Sequence, residues 1–161
     1  MKDTVRFLTI FSITALVMYL SYYFLLTNSP IMFSIKSGTA SIVSFLLSMI
    51  GLKSTSHNNI VTLNGFSMEI IDECTAIFSS IVYTAAVIAY PTKPKQKIIG
   101  ILLGIPLLYF IDIVRLIVLA LVGISNREMF DYVHVYLWQT TFIAFVVMVF
   151  YLWIKKVVSH E

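Results

Sequence analysis

Apolar residues in this chain come in runs, and polar or charged residues collect between them. The first run, Phe7 to Leu26, follows Lys2 and Arg6 and ends in Tyr19, Tyr22 and Tyr23, an aromatic band suited to a headgroup boundary. It is long enough to cross a hydrocarbon core roughly 30 Å thick. A signal peptide is the competing reading, but the stretch exceeds a typical h-region, and only Asn28, Ser29 and Pro30 follow instead of a small-residue cleavage site. The expectation is therefore a retained helix.

The second run, Ile31 to Ile50, has Ser37, Ser41, Ser44 and Ser48 at steps that stack them on one helical face, with Ile42, Phe45, Leu46, Met49 and Ile50 elsewhere. Such a helix suits the membrane interface or a polar groove. A buried span is the alternative. Between Lys53 and Ile70, "IVTL" and "FSMEI" flank Asn64-Gly65, a dipeptide fitted to a type I′ turn, which predicts a small β-hairpin. Its second strand leads into Asp72, Glu73 and Cys74. Thr75 to Tyr90 is then a rather short apolar run closed by Pro91.

The run Ile98 to Val122 contains Pro106, which predicts a kink, and Gly100 with Gly104, whose spacing permits close packing. A polar loop is expected over Gly123 to Val133, before a last run from His134 to Ile154 that ends in Lys155 and Lys156. With 59% hydrophobic residues and a mean hydropathy of +0.92, the chain falls outside the soluble globular range. The net charge of +3 does not point to nucleic acid, because the lysines mark the ends of apolar segments and form no basic stripe. They read as topology signals, the clearest being Lys93, Lys95 and Lys97.

Placing that lysine loop and both termini in the cytoplasm makes the first run go outward and the third return, so everything between them stays outside. Four spans result. A fifth, through residues 31–50, would set the lysine loop outside or reverse the amino terminus. The expected fold is an all-α membrane protein, a single domain over residues 1–161. It is a bundle of four to five transmembrane helices with one interfacial or re-entrant amphipathic helix and a small external β-hairpin.

Three polar residues then fall at one depth. Cys74, the only cysteine, opens the third segment, and His134 opens the last. Arg115 lies seventeen residues beyond Ile98, about 25 Å from the cytoplasmic end. Each has an ordinary alternative. A lone cysteine packs as a small apolar residue, and a terminal histidine sits at the interface. Arg115 can pair with Asp112 one turn earlier or snorkel to the boundary. An arginine within a span is nonetheless costly, about 2.5 to 3.5 kcal/mol on insertion scales, and marks function by default. Glu73 or Asp131 could orient His134, or remain solvated boundary residues. A non-enzymatic alternative also stands, a small transporter subunit or membrane assembly factor with a structural Asp112/Arg115 pair. That role does not need Cys74.

"ECTAIFSS", "DIVRL" and "HVYLWQ", in this order, resemble the exosortase/archaeosortase family of integral membrane transpeptidases. The resemblance implies Cys74, Arg115 and His134 as the catalytic set, with no cofactor and no metal. It implies as substrates exported proteins that carry a C-terminal sorting signal made of a short motif, an apolar helix and a basic tail. The cut protein would pass to water or to a lipid or glycan acceptor at the outer face of the cytoplasmic membrane. Two positions depart from the family's pattern: Ala76 stands where glycine is usual, and Asp112 where asparagine is usual.

Overall fold

The structure, a computed structural model, describes residues 2–158, apart from the side chains of residues 2, 131, 137–139 and 141. Helix α1 covers Lys2–Leu25, and α2 covers Pro30–Met49. Strands β1 (Ser54–His57), β2 (Ile60–Leu63) and β3 (Phe66–Glu69) precede a 3-10 turn at Asp72–Cys74. Helices α3 (Ile77–Ala89), α4 (Pro94–Ser125) and α5 (Arg127–Trp153) follow, and a π turn, Ile154–Val158, ends the described chain. Among the described residues, three helices are long and apolar enough to cross a membrane: Asp3–Leu25, Pro30–Met49 and Pro94–Ser125. The shorter apolar α3 stands beside them.

The expected hairpin is present with one strand more than the sequence suggested. β2 and β3 pair antiparallel with Leu63 opposite Phe66, and Asn64 (φ 43°) and Gly65 (φ 82°) take the two left-handed positions that a type I′ turn requires. The added strand, β1, pairs with β2 from Ser54↔Leu63 to His57↔Ile60. "STSH" lacks apolar alternation, so its strand character comes from pairing with β2 and packing on α2, contacts that no local pattern announces.

α2 packs through Met32, Thr39, Ala40, Val43, Ser44 and Leu47. The serine stripe is therefore not its buried face. It runs along one flank, where Ser44 alone turns inward to accept from Ser54 Oγ at 2.9 Å, while Ser41 and Ser48 bond back to helix carbonyls. Ile42, Phe45 and Met49 are exposed on the far side.

The polar loop expected over residues 123–133 is also corrected, since α4 runs to Ser125 and α5 begins at Arg127. Asn126 alone breaks the helices. Its side-chain oxygen accepts from the Glu128 and Met129 amides, an N-cap that satisfies donors at the start of α5. His134 consequently sits two turns inside the helix and does not open it.

Pro106 lies within continuous α4, and Gly100 and Gly104 receive aromatic rings. A Cβ at Gly104 would enter the Tyr83 ring and one at Gly100 the Trp153 ring. Tyr83 Oη donates to the Gly100 carbonyl at 2.9 Å, and Trp153 Nε1 donates to that of Gln96 at 3.0 Å. Close approach at the glycines thus joins α3, α4 and α5 at the end holding the lysine loop. At the other end, the inner face of the sheet (Val61, Leu63, Phe66, Met68) forms one buried cluster with Ala40, Val43 and Leu47 of α2 and Ile113, Leu116, Leu119 and Ala120 of α4. Cys74 belongs to that cluster.

Candidate active site

The thiol sits in a turn, not in the first turn of a span. Ile70 and Ile71 carry the chain off β3, and the 3-10 turn Asp72–Cys74 closes with the Cys74 amide on the Ile71 carbonyl at 3.0 Å. Thr75 is extended, Ala76 caps α3, and only then does the helix begin. Cys74 is 2% exposed. Burial pushes its pKa up, against a backbone hydrogen bond at Ile71 and the Arg115 charge, which pull it down, while Asp112 and Glu73 add to the rise.

Arg115 comes to this turn from α4. Its Nη2 donates to the Glu73 carbonyl at 3.2 Å, so the guanidinium is fastened to the peptide that immediately precedes the cysteine. The same nitrogen lies 2.8 Å from Asp112 Oδ1, one helical turn back. Both side chains are more than nine-tenths buried, and Asp112 Oδ2 and Arg115 Nε make no hydrogen bond among the described residues. They line a pocket of about 20 Å³ with Ser79, Phe142 and Phe145, space on the scale of one water molecule. The pair therefore has polar capacity left over.

The sequence-predicted residues are placed unevenly. Cys74, Glu73, Arg115 and Asp112 meet at one turn. His134 is half-buried, and its ring lies against Phe130, centroids 5.8 Å apart. Phe130 and Val133, on the same stretch of α5, pack on the large cluster that also holds Cys74, Phe130 against Phe66 with ring centroids 5.1 Å apart. The side chain of Asp131 lies outside the described residues.

Ala76, unusual by the expected pattern, has φ −69° and ψ 14°, a backbone conformation open to any L residue. Nothing in the local backbone demands glycine there. It lines an apolar cleft of about 320 Å³ with Thr75, Ser80 and Met18. A second apolar cleft, of about 450 Å³, borders α1 at Ala15, Leu16 and Tyr19 and reaches Glu73. Both clefts thus touch α1, one at Met18 and the other at Ala15, Leu16 and Tyr19, and both include residues beside the thiol.

Sequence reasoning missed three groups at this turn. Asp72 Oδ1 lies 2.9 Å from Lys36 Nζ of α2, and its Oδ2 accepts from Tyr22 Oη of α1 at 2.6 Å. Lys36 carried a signal, because it is the one charged residue inside the apolar run 31–50.

No curated protein and no solved structure shows a significant match to the chain. The family comparison gives one, transmembrane exosortase (Exosortase_EpsH), over residues 3–153. That match takes in every helix and strand just described except the terminal π turn, and with it the turn bearing Cys74 and the helix bearing Arg115; the chain belongs to the transmembrane exosortase family.

Proposed function

We propose that this membrane protein is a cysteine transpeptidase or protease that cleaves the C-terminal sorting signals of exported proteins at the outer face of the cytoplasmic membrane. The observation that carries the reading is the Arg115 contact to the Glu73 carbonyl, which ties a buried cation to the peptide next to the chain's only thiol. A structural Asp112/Arg115 pair in a transporter subunit or assembly factor would have no use for that thiol.

In the reaction, Cys74 Sγ attacks the scissile carbonyl carbon, and the C–N bond breaks to leave a thioester. His134 takes the thiol proton and delivers one to the departing amine. Arg115 stabilises the charge on the carbonyl oxygen in a site sheltered from water, where a preorganised donor is worth several kcal/mol. Water, or a hydroxyl or amine of a lipid or glycan acceptor, then takes the acyl group and restores the thiol. The two clefts beside α1 are apolar and reach Glu73 and Thr75–Ala76, which suits a substrate whose cleavage point adjoins a membrane helix.

The same reading favours four crossing helices, α1, α3, α4 and α5, with α2 outside the hydrocarbon. α2 is tied to Asp72 at Lys36 and to β1 at Ser44, so it runs beside the sheet through its second half. Thr55, His57, Thr62, Ser67 and Glu69 of that sheet are exposed. An open sheet with a polar outer face has no place in a bilayer core, and α2 packs beside it. At about 1.5 Å per residue, the 32 residues of α4 exceed the core thickness, which leaves its last turns free to support this layer.

The test is the fate of substrate proteins in cells carrying Cys74→Ala at normal protein levels. They are expected to keep their C-terminal helix, and normal processing by this variant removes the nucleophile from the account.

A further inference from the structure

Asp72 opens the 3-10 turn two residues before the thiol, and every oxygen it has is engaged. Oδ1 accepts from Lys36 Nζ at 2.9 Å and Oδ2 from Tyr22 Oη at 2.6 Å. Its main-chain carbonyl accepts from the Thr75 amide at 3.1 Å and from Thr75 Oγ1 at 2.7 Å. The side chain thus joins the turn to α1 and α2, while the backbone closes the turn on itself. α4 holds the following peptide through Arg115.

The carboxylate is the only link among these that both α1 and α2 share. Burial alone would push its pKa up, but the bonds from Lys36 and Tyr22 and the Lys36 charge hold it below the usual carboxylate range, so it stays ionised at neutral pH. Lys36 is about one-fifth exposed, so its charge is largely withdrawn from water and is compensated by this partner.

We propose that Asp72, gripped by Lys36 and Tyr22, is a positioning residue: it fixes the 72–75 turn so that Cys74 meets the substrate carbonyl in a single orientation, with Arg115 already docked beside it. This rests on the reading of Cys74 as nucleophile. It assigns a role in the reaction to α1 and α2, neither of which supplies a catalytic group.

Because Cys74 is the only cysteine, iodoacetamide alkylation of the full-length protein in liposomes reads one site, and its rate can be followed across pH. Tyr22→Phe and Lys36→Met are each expected to raise that rate about tenfold, the scale of losing a hydrogen bond to a charged group, as the turn opens and exposes the thiol. The midpoint of the pH profile should fall toward that of an ordinary thiol, because burial is the largest cause of its rise. The other charges acting on Cys74, from Arg115, Asp112 and Glu73, are unchanged in these variants.

Lys36→Arg should return the wild-type rate and midpoint. The double variant should gain less than the product of the two singles, since both act through Asp72. Trp153→Phe, which loses its bond to the Gln96 carbonyl at the far end of the bundle, should alkylate like wild type. Wild-type profiles in Tyr22→Phe and Lys36→Met overturn the proposal, as does an equal rise in Trp153→Phe. Normal substrate processing by Cys74→Ala is a separate outcome, which removes the nucleophile on which the positioning role depends while leaving the alkylation rates as a measure of the clamp itself.

Discussion

Arg115 and Asp112 show how much depends on single residues here. Both are buried, they pair at 2.8 Å, and each keeps one nitrogen or oxygen without a bond among the described residues. Removing one partner of such a pair strands the other charge, so Arg115→Met is expected to cost about 3 to 5 kcal/mol of stability, read as a large fall in melting temperature in detergent. Asp112→Asn differs because the amide oxygen can still accept from Arg115 while the negative charge is gone. Since that charge works against ionisation of Cys74, Asp112→Asn should alkylate faster than wild type at neutral pH, and a slower rate would show that Asp112 chiefly orients the guanidinium. Cys74, Arg115 and Asp112 were all legible in the sequence, as a lone thiol and two charges within apolar runs. Asp72, Lys36 and Tyr22 were not joined, because they meet across separations of 36 and 50 residues that no local spacing encodes.

At the level of elements, the pattern located the helices well and misjudged what lies between them. Asn64-Gly65 announced its turn because the left-handed backbone it needs is a local property. β1 gave no such sign, since "STSH" becomes a strand only beside β2 and α2. The polarity of "GISNREMFDYV" suggested a loop, whereas Asn126 is an N-cap and the polar residues after it form the opening turns of α5. α2 is the element on which topology turns, because its 20 residues satisfy the length and hydropathy of a span while its contacts bind it to the sheet. In a Cys74→Ser background, cysteines placed at Thr27 and at Asn58 flank α2. If α2 does not cross, a membrane-impermeant maleimide applied outside the cell labels both; labelling of only one would mean that it does.

The whole molecule is organised around two ends. At one, Gly100 and Gly104 let Trp153 and Tyr83 lock α3, α4 and α5 together, and the lysine loop lies nearby. At the other, sheet, α2 and α4 bury a cluster that includes the thiol, with α1 attached through α3 and through Tyr22. This division puts helix packing at one end and a web of polar ties around Cys74 at the other, which suits the proposed function, in which a substrate helix enters from the membrane. The sequence carried the positions of Cys74 and Arg115 along their segments, whereas His134, expected to open the last one, lies two turns inside α5. The sequence could not carry their lateral arrangement, which depends on which helices pack together. The central claim is that the Cys74 thiol forms a covalent bond with substrate. Intact-protein mass spectrometry of the enzyme, isolated with a sorting-signal substrate and quenched in acid, tests this most directly. The expected result is an acyl adduct that maps to Cys74, is released by neutral hydroxylamine and is missing from Cys74→Ala. Cleaved substrate with Cys74 unmodified at every time point, or an adduct on another residue, would contradict it.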